Sequence, residues 1–404
     1  MDWSERMQSQ LNNLIRDGAY RRFLDIRKEA GRSPEFWYDF GGKRRLAVNF
    51  TSNDYLGLSV HPEVMNRLRE VTAEAGAGSG GTRNISGTTI YHRSLEQTLA
   101  NWHGKPSALL FNSAYMANLT TLQTLGRRIP ELVFLSDEEN HASLIEGMRS
   151  APNKRCIFRH NDVKQLEQLL AGLPADTPKL IVFESVYSMS GDRSPIQEIV
   201  SLAKKYGART YVDEVHAVGL YGETGAGLSE ALGLSEQIDI INGTLAKSVG
   251  VLGGYIASDS VTTDFIRSFG SGFIFSTSLP PAVCAAAEAS IRIIQKEKSE
   301  RYKPFMLVKY LRDILSDLDI PFLKNDTHIT RLLIPGAEHC QRVSLQLLHE
   351  HGVYVQPLNK PTVAEGNEGF RLIVTARHTR AHLDQLENGL EAVHAGQRKK
   401  IQVA

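Results

Sequence analysis

The stretch KLIVFESVYSMSGDRSPIQEIVSLAKKYGARTYVDE, residues 179–214, decides the fold. It opens on an apolar, β-rich run, KLIVFES (179–185). A helix signal follows. Ser194 is placed to cap it, Pro195 suits its first position, and Gly207 can end it. Ile196, Ile199, Val200, Leu202 and Ala203 fall on one face. A second strand, ARTYVDE (208–214), starts at once. Strand, helix and strand in this rhythm predict two parallel strands joined by a right-handed crossover.

Working outward, SALLFNS (107–113), LVFLSD (132–137) and IDIING (238–243) read as further strands of the same mostly parallel sheet. In such α/β sheets ligands sit beyond the carboxyl ends of the strands, so the polar clusters that follow each strand are the places to search. The C-terminal third changes character. Residues 281–317 are helical in pattern, THITRLLIP, GVYVQP and GFRLIVT are short strands, and 380–398 is a final helix. That predicts an N-terminal arm (1–45), a large domain (46–285) and a smaller α+β domain (286–404).

The remaining features exclude more than they assign. The 404 residues are 42% hydrophobic and 23% charged with a net charge of +1, an ordinary globular composition that leaves no bulk electrostatics for nucleic acid or anionic membrane. Cys156, Cys284 and Cys340 are odd in number and far apart, which fits a reducing compartment and offers neither a disulfide framework nor a metal cluster. No apolar run reaches the ~18 residues of a membrane span, and the first residues lack a signal-peptide core, so a bacterial cytoplasmic location is expected. Trp3, Met7, Leu11, Leu14 and Ile15 share one helical face and predict a docked amphipathic arm. Gly76, Gly78 and Gly81 spell GxGxxG, but a helical pattern precedes them and no helix opens directly after, so a dinucleotide site is rejected. The dense loop GAGSGGTRNISGTT is then either a flexible surface loop or backbone brought close to a ligand.

Three sites that follow strands carry chemistry. They are Asn140-His141-Ala142-Ser143, Asp213-Glu214-Val215-His216 and Gly243-Thr244-Leu245-Ala246-Lys247. Each is weak alone, since a lysine there is commonly solvated, an aspartate commonly caps a helix and a histidine commonly packs in a core. Together they supply what pyridoxal 5′-phosphate requires of a protein. Lys247 can form the Schiff base, Asp213 can pair with the ring nitrogen, and His141 can stack on the ring. Thr244 and the helix-opening segment Ser113-Ala114-Tyr115 can hold the phosphate, and His216 can reach the ring's 3′ oxygen.

On these residues, and on SNDYLGLSVHPEV, GAGSGGTRNISGTTIYHRSLE, NHASLIEGMR, FESVYSMSGD, DEVHAVGLYG, INGTLAKSVG and FIFSTSLPP, the chain resembles the α-oxoamine synthase family of fold-type I pyridoxal phosphate enzymes. GGTRNISGTTIYH is most similar to its aminolevulinate-forming branch. The resemblance implies a PLP-dependent transferase whose large domain holds a mostly parallel seven-stranded sheet. It implies a decarboxylating condensation of glycine with succinyl-CoA, giving 5-aminolevulinate, coenzyme A and carbon dioxide for tetrapyrrole (heme) or specialised-metabolite supply. A related synthase using another acyl-CoA or amino acid, such as a 2-amino-3-ketobutyrate CoA ligase, is the alternative.

The resemblance also implies roles for single residues. Lys247, His141 and Asp213 are catalytic; Ser188, His216 and Thr244 are further cofactor contacts. Ser276 and Thr277 would reach the phosphate from a neighbouring subunit, hence a homodimer. Arg371 would hold the glycine carboxylate, a bidentate task suited to arginine. Arg21, Asn53, Thr82 and Asn84, with Ile85 lining the pocket, would receive the succinyl group, and Ser136, Arg155 and Thr362 the coenzyme A ester. The chain departs from the branch pattern at Ala246, Ser190 and Arg331, in AEGNEG after Val363, and in RLIVTARH from Arg371 onward.

Overall fold

The structure is a computed structural model that describes residues 2–20, 23–360 and 362–403, with side chains up to His394 in the last helix. Its contacts divide the chain into two units. One comprises Leu56–Ser188 and Asp192–Tyr302; the other comprises Met1–Tyr55, Met189–Gly191 and Lys303–Ala404.

The larger unit is built on one seven-stranded sheet. Its strands are β1 (Ser107–Phe111), β2 (Val133–Asp137), β3 (Arg155–Phe158), β4 (Lys179–Glu184), β5 (Arg209–Asp213), β6 (Ile240–Thr244) and β7 (Gly254–Ser258), in the order β1-β7-β6-β5-β4-β2-β3. Only β7 runs against its neighbours, so the sheet is mostly parallel as expected. All five strands read from the sequence are present. β3 and β7 lack that signal because β3 is a four-residue edge strand with only Phe158 buried, and β7 opens on a glycine.

Helices α1 (Ala114–Arg128) and α2 (Ala142–Arg149) follow β1 and β2, and α3 (Ile196–Tyr206) joins β4 to β5. Leu109, Phe134, Val182, Tyr211 and Ile256 from the sheet pack with Ala117 and Leu122 of α1 and Leu144 and Met148 of α2. Each such fully buried side chain contributes about 1.5–3 kcal/mol relative to exposure. α3 buries the five residues its periodicity names and ends at Gly207 in the left-handed conformation (φ 61°). Its start differs from expectation by one residue. Pro195 is the N-cap, and Ser194 lies outside with its backbone N–H on the Ser185 carbonyl, 3.1 Å away, and its hydroxyl buried without a partner.

The larger unit runs past residue 285, because the helix Pro281–Lys296 packs Ala282 and Ala285 against Val71 and Tyr91. Its break from the smaller unit falls at 302–303, inside the helix Lys298–Asp317. The smaller unit carries a three-stranded antiparallel sheet of β8 (Ile329–Leu333), β9 (Pro357–Leu358) and β10 (Gly369–Ile373), with β10 in the middle. A second sheet joins Arg27–Lys28, Glu35–Phe40, Lys43–Asn49 and Val353–Tyr354. Phe50, Leu311, Leu315, Leu347, Phe370 and Leu383 centre its core. The N-terminal arm is a helix, Trp3–Arg16, capped by Asp2 with Glu5 closing a capping box. Its apolar face is not docked within the chain, since none of its residues is buried and Trp3 is 81% exposed. Among the described residues no helix is long and apolar enough to cross a membrane, and no group of three His, Cys, Asp or Glu side chains is placed to hold a metal ion.

Candidate active site

The strand ends of the larger unit converge three acidic and basic groups. Parallel pairing sets Glu184, the last residue of β4, beside Asp213, the last of β5. Asp213 is buried, yet its Oδ2 accepts from Asn118 Nδ2 at 2.7 Å and its Oδ1 from the Val215 backbone N–H at 2.9 Å. Hydrogen bonds to both oxygens fix the direction in which the carboxyl group points. Lys247 is half-buried in the turn after β6, its carbonyl accepting from Gly250 N–H at 2.9 Å. Burial pushes the Glu184 carboxyl well above the usual range, the Asp213 charge adds to that, and the His141 amide and Lys247 oppose it.

His141 is held at both backbone and ring. It is the N-cap of α2, and its backbone N–H donates to Glu184 Oε1 at 2.7 Å. Ring Nδ1 accepts from the Ser143 backbone N–H (3.2 Å) and lies 2.8 Å from Ser143 Oγ. An N–H can only donate, so Nδ1 is the acceptor and the ring proton sits on Nε2. Desolvation lowers the pKa, Asp213 works against this and Lys247 adds to it, which keeps the imidazole neutral. The Tyr115 ring stands edge-on to it, centroids 6.3 Å apart.

The turn after β1 is shaped for an anion. Ser113 caps α1 by accepting from Met116 N–H at 3.2 Å, which leaves the Ala114 and Tyr115 amides at the helix start. Gly254 of β7 pairs with Phe111 on one side and Thr244 on the other. A Cβ there would stand 2.1 Å from the Ala114 nitrogen, so only glycine lets this turn approach the end of β6. Thr244 Oγ1 donates to Gly253 O (3.2 Å) and accepts from Ala246 N–H (3.1 Å). His216 and Ser188 are buried in the turns after β5 and β4.

The glycine-rich loop is docked rather than free. Thr82 bridges Thr277, Ser278 N–H donates to Gly81 O at 3.0 Å, and Arg83 grips Glu96 through two bonds of 2.7 and 2.9 Å. Ser276 is half-buried. The Thr82 hydroxyl is buried without a partner. Asn84 is exposed and Ile85 is 87% exposed. Ser136 and Arg155, expected on coenzyme A, also make contacts within the chain. Ser136 Oγ is buried between Asp137 O (3.0 Å) and Asn140 Nδ2 (2.9 Å). Arg155 Nη1 donates to the carbonyls of Met148 (3.3 Å) and Ala151 (3.2 Å), at the end of α2 and just beyond it.

In the smaller unit Arg371, on β10, donates through Nη2 to Asn53 Oδ1 at 2.8 Å. Asn53, expected on the succinyl group, is therefore a partner of the arginine expected on glycine. Arg331 lies directly across from Arg371 on β8, 2% exposed, donating to Leu332 O (3.1 Å) and to Asn367 O. Thr362 is half-buried, its N–H on Asn359 O at 2.9 Å. Arg21 lies outside the described residues.

The donor set in the larger unit fits pyridoxal 5′-phosphate: a buried carboxyl group held by two donors, a primary amine, helix-start amides with a hydroxyl, and a neutral imidazole. Sequence reasoning missed Asn118, Tyr211 and Glu184. Their one signal is polarity at positions where a core residue is expected.

The sequence profile of the family described as aminotransferase class I and II matches residues 46–390. The chain is 45% identical over 394 residues to 5-aminolevulinate synthase 1 of Cereibacter sphaeroides, covering 97% of each chain. It is 46% identical over 399 residues to the 5-aminolevulinate synthase of Rhodobacter capsulatus, covering 98% of this chain and 97% of that one. Among solved structures it is similar to a serine palmitoyltransferase from S. paucimobilis with a bound PLP–myriocin aldimine, at 31% identity and a TM-score of 0.89, covering 98% of this chain and 99% of that one.

Proposed function

The chain belongs to the class I and II aminotransferase family, grouped there with the 5-aminolevulinate synthases, and from that premise we propose that it condenses glycine with succinyl-CoA to 5-aminolevulinate, coenzyme A and carbon dioxide. The observation that carries this reading is identity near one half across almost the whole chain to synthases of that one activity. Pyridoxal 5′-phosphate, when bound, supplies the electron sink for the electron pair left on the glycine α-carbon.

The residues divide the remaining work. Lys247 Nζ is the amine that would hold the cofactor and the base that would take the α-proton. The Asp213 carboxyl group would face the ring nitrogen. The Ala114 and Tyr115 amides and the Thr244 hydroxyl would hold the phosphate, and His216 and Ser188 would supply polar contacts around the ring. The Nε2–H of neutral His141 offers a hydrogen bond to the thioester oxygen as negative charge develops there. Arg371 binds the amino-acid carboxylate, and Asn53, bonded to its Nη2, fixes the guanidinium plane.

The unpartnered Thr82 hydroxyl supports a place for the succinyl carboxylate at that loop, because buried hydroxyls are otherwise almost always satisfied. We infer a homodimer. Ile85 and Phe275, 87% and 80% exposed, flank the Thr82–Thr277 bridge and leave apolar surface beside Ser276 and Thr277. The test is Lys247→Ala beside the unaltered chain, each supplied with pyridoxal 5′-phosphate, glycine and succinyl-CoA. The unaltered chain should release 5-aminolevulinate and the variant, equally folded by circular dichroism, none. A variant of normal activity would refute the assignment of Lys247, and an unaltered chain without product would refute the function.

A further inference from the structure

Beneath the strand ends lies a buried polar chain with no part in the steps above. Asn118 of α1 is 1% exposed and makes three hydrogen bonds. Its Nδ2 donates to Asp213 Oδ2 (2.7 Å) and to Ser143 Oγ (2.9 Å), and its Oδ1 accepts from Tyr211 OH (2.7 Å). Ser143 Oγ in turn reaches His141 Nδ1 at 2.8 Å. The amide orientation is forced. Turned over, its oxygen would face the Asp213 carboxylate, and the Tyr211 phenol, kept protonated by burial, would meet an NH₂ group. Asn118, Ser143 and Tyr211 are all at most 1% exposed, so water does not compete for these bonds. The chain depends on close helix packing. A Cβ on Gly147 of α2 would lie 3.0 Å from the Asn118 carbonyl oxygen, and glycine there lets α2 bring Ser143 within reach.

We propose that Asn118 is a positioning residue that couples Asp213 to His141: one amide group holds the Asp213 carboxyl aimed, and through Ser143 holds the imidazole as its Nε2–H tautomer. The proposal rests on the cofactor reading above. Without the amide, Asp213 loses one of its two hydrogen bonds, and its hold on the ring nitrogen's proton weakens. Ser143 loses the donor that orients its hydroxyl toward His141. Tyr211 acts one step further out by fixing the amide, so its effect has the same sign and is smaller.

The test uses the full chain loaded with pyridoxal 5′-phosphate and reads the cofactor dissociation constant and the pH midpoint of the bound chromophore's absorbance. Asn118→Leu is expected to raise the dissociation constant about tenfold and to shift the midpoint by about one unit, the equivalent of one charge-assisted hydrogen bond. Tyr211→Phe, which removes one oxygen and keeps the ring, is expected to move both in the same direction by about a third as much on a logarithmic scale. Should Asn118→Leu fail to fold, Tyr211→Phe decides alone. A purely structural role would lower Tm and leave the midpoint where it is. Unaltered midpoints and affinities in the folded variants overturn the proposal and leave the cofactor reading intact. An unaltered chain that forms no chromophore with pyridoxal 5′-phosphate overturns both.

Discussion

Glu184 and Asp213 stand side by side at the ends of adjacent parallel strands, two buried carboxyl groups in register. They are treated differently. Asp213 receives two donors, whereas Glu184 receives the His141 backbone N–H and is pushed up by burial and by its neighbour's charge. Of the two, Glu184 is the carboxyl that burial and its neighbour push toward the protonated form.

A prediction follows for Glu184→Gln. A raised folded-state pKa means the folded chain holds a proton that the unfolded chain has lost, so stability falls as pH rises from the unfolded carboxyl value through the raised one. Glutamine keeps the acceptor for His141 N–H without the titration. The variant should bind pyridoxal 5′-phosphate within about twofold of the unaltered chain, and the decline of its Tm from pH 5 to pH 8 should be shallower. Urea titrations across that range check both.

His160 provides the opposite sign. Its Nδ1 lies 2.9 Å from Asp137 Oδ1 and its Nε2 2.7 Å from Asp192 Oδ2, with Glu139 at 3.8 Å and the Tyr187 ring edge-on at 4.4 Å. Burial opposes its charge, but hydrogen bonds and charge from Asp137 and Asp192 prevail and push its pKa up to about 10. This stabilisation is full below about pH 6.5 and is lost as pH rises toward 10. His160→Gln should cost about 3 kcal/mol at pH 6. The two chains should converge by pH 10, as denaturant melts at both pH values would record.

Asn53 separates two substrate roles. Because its oxygen accepts from Arg371 Nη2, Asn53→Ala should raise KM for glycine about tenfold, the worth of one hydrogen bond to a charged group. The KM for succinyl-CoA should stay within about twofold. Steady-state kinetics with each substrate varied in turn distinguishes this from a succinyl-binding role, which would reverse the pattern.

Gly147→Val tests the helix contact. The added side chain meets Leu122 Cβ and the Asn118 carbonyl at 3.0 Å, so α2 must shift, at about 1–3 kcal/mol. Both Tm and cofactor affinity should fall together, because the same shift parts Ser143 from Asn118.

Much of this was legible in the residues. The crossover around 179–214 reads directly because a run of apolar residues, a 3.6-residue stripe and a glycine stop follow one another without ambiguity. Lys247, Asp213 and His141 were visible because each follows a strand. Asn118 was not, since an asparagine in a helical pattern reads as an exposed residue until tertiary packing places it beneath Asp213. The contact of the Ser136 hydroxyl with Asn140 Nδ2 was not legible either, because it depends on which face of the strand the side chain takes. The bond between Asn53 and Arg371 was not legible, because the two lie 318 positions apart in sequence and become adjacent only in the folded chain.

The central claim is a condensation that discards the glycine carboxyl group and keeps its α-carbon. Turnover with succinyl-CoA and glycine labelled with ¹³C at one carbon or the other tests it most directly. With the carboxyl carbon labelled, all label should leave as carbon dioxide; with the α-carbon labelled, it should appear in 5-aminolevulinate beside the amino group. Label from the carboxyl carbon retained in the product, or turnover with acetyl-CoA exceeding that with succinyl-CoA in kcat/KM, would contradict the account.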